Sequence, residues 1–126
     1  MEKIKKKLKK NKGIKLWEKA KKLILGGNML LSKRPELFLP NLWPTYYSKT
    51  KSCYIWDLGN NKFIDMSYMG VGTNILGYNN KKVDAAVSKV VKKGNLSTLN
   101  SPEEVELAKK LISIHKWAHQ VKFART

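Results

Sequence analysis

His115 and His119 stand four residues apart, a spacing that on a helix would put two imidazoles on one face for a metal ion. No third ligand sits at a matching interval, because Cys53 is distant and the nearest acids belong to a helix-capping turn. Two ordinary boundary histidines are the simpler reading, and no metal site is expected. A Cys-His nucleophilic pair fails similarly. Cys53 falls in an alternating stretch expected to be a strand, with nothing nearby to lower its pKa, so packing is its expected role. Asp57, Asp65 and Asp84 form no acid-base pair by spacing. "GVGTNILG" suggests a phosphate cradle, yet its glycines fit neither G-x-G-x-x-G nor G-x-x-x-x-G-K-[ST]. No catalytic residue can be nominated from these groups.

The elements that would position such residues are clearer. Leu16, Trp17, Ala20, Leu23 and Ile24 recur at three- and four-residue intervals and predict a helix from Ile14, stopped by Gly26-Gly27. "NMLLSKRPELFLPNLWP" carries Pro35, Pro40 and Pro44 too closely for a helix interior, so it is expected to run extended. Its Leu30, Leu31, Leu37, Phe38, Leu39, Leu42 and Trp43 are too many to leave in water, and a covering element is required. Tyr46 to Ser48, "CYIWD" and "KFIDM" predict a small antiparallel sheet, the last two strands joined through Gly59-Asn60-Asn61. In "SYMGVGTNILGYNN", Gly70, Gly72 and Gly77 mark a loop that turns sharply or admits a close approach. Asn80 can cap a helix with Val83, Val87 and Val90 on one face and Gly94 at its end. Ser101-Pro102-Glu103-Glu104 reads as a capping box opening a helix with Val105, Ala108, Leu111 and Ile112 on its apolar face. "HQVKFART" is expected to be a strand.

Composition bounds the possibilities. A chain of 126 residues with 42% hydrophobic content suits one modest globular domain, and no apolar run approaches a membrane span. The single cysteine and the lack of an apolar leader point to the cytoplasm. Twenty-six basic residues oppose nine acidic ones, a net charge of +17, and Met1 to Lys12 supplies +6 of it. That lead-in, residues 1–13, is expected to be solvated. The charge allows a free-standing basic module binding nucleic acid or a membrane surface. With only Arg34 and Arg125 able to make forked contacts, nucleic acid is not the expected partner.

The order of the parts is more specific than any one of them. "LWEKAKKLILGGNMLLSKRPE", "YIWDLGNNKFIDM", "GVGTNILGYNNKKVDAAV", "GNLSTLNSPEEVELAKKL" and "VKFART" together resemble the N-terminal portion of class III pyridoxal-phosphate aminotransferases, nearest the glutamate-1-semialdehyde aminomutases. That family reads W-D-x-D-G-N-x-Y-I-D and then L-G-H-x-x-P-x-V. Trp56-Asp57, Asn61, Ile64-Asp65, Leu76-Gly77 and Glu106-Leu107-Ala108 fall in register, whereas Gly59-Asn60-Asn61 replaces D-G-N, Tyr78 replaces the histidine and the proline is absent.

The resemblance implies an α/β fold, the N-terminal part only of the pyridoxal-phosphate-dependent transferase fold: a helix, a small antiparallel sheet, two helices and the start of a large-domain strand. Residues 14–126 would be that segment, with the remainder of the family's chain missing. It further implies an amino substrate and homodimerisation, with pyridoxal 5'-phosphate bound by the complete enzyme rather than by this portion alone. The Schiff-base lysine and the aspartate facing the pyridine nitrogen lie downstream in the family, so no lysine here is assigned that role. Thr126 matches the first residue of the phosphate-binding turn, and Tyr68 of Ser67-Tyr68 would border the cofactor. Ser67 and Ser32 would face the substrate, with Lys33 or Arg34 near its carboxylate; Arg34 is preferred because a guanidinium grips a carboxylate with two bonds.

Overall fold

A computed structural model describes residues 12–67 and 69–124. The expectations placed on the lead-in up to residue 11, on Tyr68 and on Thr126 lie outside the described residues. The chain divides into two units, Met1–Asp84 and Ala85–Thr126.

In the first unit, helix α1 (Lys12–Leu23) includes the predicted start at Ile14. Trp17 and Ala20 are its buried hydrophobic side chains, Trp17 only 5% exposed. Leu16, Leu23 and Ile24, predicted on the same stripe, remain exposed, so the buried face is narrower than the periodicity suggests. The helix stops at the two glycines, whose φ values of 75° and 79° lie where side chains are disfavoured. Gly27 is needed for space as well, since a Cβ there would lie 2.3 Å from the Trp17 ring.

The proline-bearing segment is not extended. It winds through two short 3-10 turns, Leu31–Lys33 and Pro35–Leu37, and a further turn closed by the Trp43 amide on the Leu39 carbonyl at 2.8 Å. Proline fixes φ near the helical value and donates no amide, so it starts a short turn as readily as it ends a helix. Phe38 and Trp43 stack with centroids 4.5 Å apart, but Leu31 remains 65% exposed and Met29 90%.

Strands β1 (Tyr47–Lys51), β2 (Tyr54–Asp57) and β3 (Lys62–Ile64) form the expected antiparallel sheet in sequence order. β1 starts one residue later than predicted, and its register slips between Tyr47 and Lys49. Cys53 is not within a strand: it lies in the turn between β1 and β2, half-buried, where its carbonyl accepts the Asp65 amide at 2.8 Å. The glycine loop that follows returns to this turn. Ser52 and Tyr78 exchange two backbone hydrogen bonds of 2.8 and 2.9 Å. Gly77 permits that approach, with φ of 81° and a hypothetical Cβ only 3.2 Å from the Ser52 backbone.

Helix α2 (Lys81–Lys93) is capped as expected: the Asn80 side-chain oxygen accepts the Lys82 and Val83 amides, and Gly94 ends the helix with φ of 89°. Helix α3 (Pro102–Ile114) has proline in its first turn as expected, but the capping box does not form. The Ser101 hydroxyl donates to the Glu103 carboxylate instead of receiving a backbone amide. The predicted C-terminal strand is also absent across the described residues 119–124. A strand exists by pairing, and no described strand pairs with this stretch.

Candidate functional site

Two polar clusters hold the residues to which chemistry can be attached. The first lies after α1. Trp17 donates its indole N–H to Glu36 Oε1 at 2.7 Å, tying the helix to the second 3-10 turn across nineteen residues. That bond, helped by Glu36's own backbone amide and by Lys21 and Arg34 nearby, holds the Glu36 carboxyl below its ordinary range against slight desolvation. Arg34 sits between the two 3-10 turns and folds its guanidinium over Gly26, where a Cβ would lie 2.4 Å from Nη2. Its Nε is buried without a hydrogen-bond partner among the described residues, as is Asn28 Oδ1. Ser32 is exposed within the first 3-10 turn, and Lys33 is exposed beside it.

The second cluster is built on the sheet's far end. Asp57, 4% exposed, takes the amides of Gly59 and Asn61 at 2.8 Å each on Oδ1 and the Asn61 side-chain amide at 2.9 Å on Oδ2. All its side-chain hydrogen bonds serve the β2–β3 turn, where Asn60 has φ of 61°, so the Asp57 carboxylate is structural. Asp65 is different. Its Oδ1 accepts both the amide and the hydroxyl of Ser67, at 2.9 and 2.7 Å, and its Oδ2 accepts the Tyr78 hydroxyl at 2.6 Å. Burial opposes ionisation of Asp65, but the bonds from Tyr78 and Ser67 together hold its carboxyl below the usual value. Burial, followed by the bond to Asp65 and its charge, pushes the Tyr78 hydroxyl up to about 12. The pair fixes Ser67 and joins β3 to the end of the glycine loop.

Ser32 and Arg34 therefore share one segment, while Ser67 belongs to the other cluster. No hydrogen bond or ion pair among the described residues links the two sets. The Asp65–Tyr78 bond spans thirteen residues, and only the matching of Asp65 and Tyr78 to two motif positions hinted at it. His115 ends α3 and His119 lies beyond it, so their spacing does not place them on one helix face.

The described residues do not by themselves fit a pyridoxal-phosphate site. Every described lysine is exposed, whereas a Schiff-base lysine is activated in a desolvated pocket.

No protein-family model matches the chain. Among curated proteins it is 32% identical over 111 residues to the glutamate-1-semialdehyde 2,1-aminomutase of Methanothrix thermoacetophila, covering 88% of this chain and 24% of that protein. It is 37% identical over 98 residues to the enzyme of that name from Nitrosopumilus maritimus, covering 78% of this chain and 22% of that one. Among solved structures, the pyridoxal-phosphate internal aldimine form of the FumI protein from Sphingopyxis sp. MTA144 superposes with a TM-score of 0.77 at 27% identity, over 90% of this chain and 27% of that one. The chain thus spans about a quarter of the length of these relatives. Its homologues over about nine-tenths of its length are glutamate-1-semialdehyde aminomutases, and its relation is to the N-terminal part of class III pyridoxal-phosphate aminotransferases.

Proposed function

We propose that this chain, a relative of the N-terminal part of class III pyridoxal-phosphate aminotransferases, supplies the substrate-entrance segment of an aminotransferase or aminomutase of the glutamate-1-semialdehyde type. The observation that carries this reading is the structural likeness to a pyridoxal-phosphate protein across 90% of the chain. Arg34 gives it chemical content. A guanidinium folded over a glycine turn is placed to grip a carboxylate with two bonds. Ser32, two residues away, offers a hydroxyl to the same substrate end.

Ser67 and Tyr68 line the substrate side of the cofactor in this reading, and Thr126 opens its phosphate-binding turn. Asp65 and Tyr78 hold Ser67 at its post. The cofactor, when held by the complete enzyme, supplies the electron sink for moving an amino group. This chain contributes binding and orientation and has no transaminase activity alone. The rest of the enzyme, and a second subunit of the homodimer, are its partners.

The test is to graft the chain in place of the matching quarter of the Methanothrix aminomutase and compare the graft with its Arg34→Ala variant. The expected loss is a rise in KM of about tenfold or more, the scale of one lost charge-assisted contact, with kcat changed less. A graft that holds cofactor and turns over with KM unchanged by Arg34→Ala would remove Arg34 from the site.

A further inference from the structure

The sheet has a face to which the proposed function assigns no residue. Lys49 stands opposite Trp56, and Trp56 opposite Lys62; in the next row Lys51 stands opposite Tyr54. Directly opposed residues project from the same side, so three lysines and two aromatic rings share one face. The contacts agree: Lys49 Nζ lies 4.8 Å from the Trp56 ring centre, and Lys62 Nζ lies 3.6 Å from that of Tyr54 and 5.5 Å from that of Trp56. The two rings are 6.2 Å apart. All three lysines are exposed, and none has a carboxylate within ion-pair distance among the described residues. Asp57, the acid adjoining this row in β2, is buried in its turn.

Ammonium groups held by ring faces rather than by acids are cheaply released to a stronger anion. From this geometry we infer that the face binds single-stranded nucleic acid, phosphates taking Lys49, Lys51 and Lys62 while bases stack on Tyr54 and Trp56. A net charge of +17 supplies the attracting field. The rings select the occupant. A duplex keeps its bases stacked within itself and offers the rings nothing, whereas a single strand presents a π-face with each base.

The experiment is fluorescence anisotropy with the full chain and a labelled oligothymidylate of about 12 nucleotides at about 50 mM salt, followed by a salt titration. Saturable binding is expected. Lys49→Gln/Lys51→Gln/Lys62→Gln should flatten the slope of log affinity against log salt by about 2, at roughly 0.7 per phosphate contact for single strands. Tyr54→Leu/Trp56→Leu should weaken binding about tenfold or more. If circular dichroism shows that the ring variant does not fold, the lysine variant decides alone. Absence of binding would overturn the inference, as would a salt slope unchanged by the lysine substitutions or binding abolished only by deleting Met1 to Lys12. Tighter binding to phosphatidylserine vesicles than to the oligonucleotide would overturn it in favour of a membrane surface.

Discussion

Asp65 is the residue on which the second cluster turns, because one carboxylate serves Ser67 through one oxygen and Tyr78 through the other. Tyr78→Phe removes a hydrogen bond to a charged group, and partial exposure reduces its worth to about 1 kcal/mol. Hydrogen exchange at the Ser67 amide should then quicken by about fivefold, which NMR would read directly. The pH dependence has a definite sign at each end. Asp65 titrates below its unfolded value, so its contribution is present above about pH 4 and lost as pH falls through the lowered folded value. Tyr78 is raised to about 12, so its contribution is complete below about pH 10 and lost as pH rises toward 12. Side-chain carboxyl shifts of Asp65 followed against pH should show a midpoint below that of a free aspartate; one at or above it would contradict the cluster.

Between elements, close approach rests on two glycines. Gly77→Ala puts a side chain into the left-handed region and against the Ser52 backbone, at a cost of about 2 kcal/mol. The two backbone bonds between Ser52 and Tyr78 should lose their exchange protection. Gly27→Ala would meet the Trp17 ring, so the indole N–H signal should lose the shift that its bond to Glu36 confers. What was legible in the sequence follows the same logic. Gly26-Gly27, Asn80 and Gly94 act on their immediate neighbours, and their punctuation could be read directly. A capping box also requires the serine to turn toward backbone, and here the Glu103 carboxylate takes the Ser101 hydroxyl. The Trp17–Glu36 and Asp65–Tyr78 bonds join residues distant in sequence, and no periodicity encodes them. The basic face of the sheet is written as alternation, Lys49 and Lys51 against Tyr54 and Trp56, but the register that unites it needed the structure. The substrate-facing roles of Ser32, Arg34 and Ser67 came from resemblance alone.

On the scale of the whole molecule, the described residues bury few apolar groups. Trp17 and Ala20 are the buried hydrophobic side chains among them, while Leu25, Met29, Leu31, Leu37 and Phe38 stay exposed along one continuous stretch of chain. The covering element that this stretch demands is absent from the described residues; in the function proposed above, the rest of an aminotransferase supplies it. The chain alone should bind a hydrophobic dye, self-associate and melt broadly, because little packed interior exists to make unfolding cooperative. No described helix is long and apolar enough to cross a membrane. The most direct measurement is to co-express this chain with the separately encoded remainder of the Methanothrix aminomutase, purify by a tag on the remainder, and record thermal melting of the chain alone and of the mixture. The expected result is that the chain is retained at one copy per remainder and that the mixture gains a sharp transition absent from the chain alone. A chain that melts sharply as a clean monomer and passes through without the remainder would contradict it.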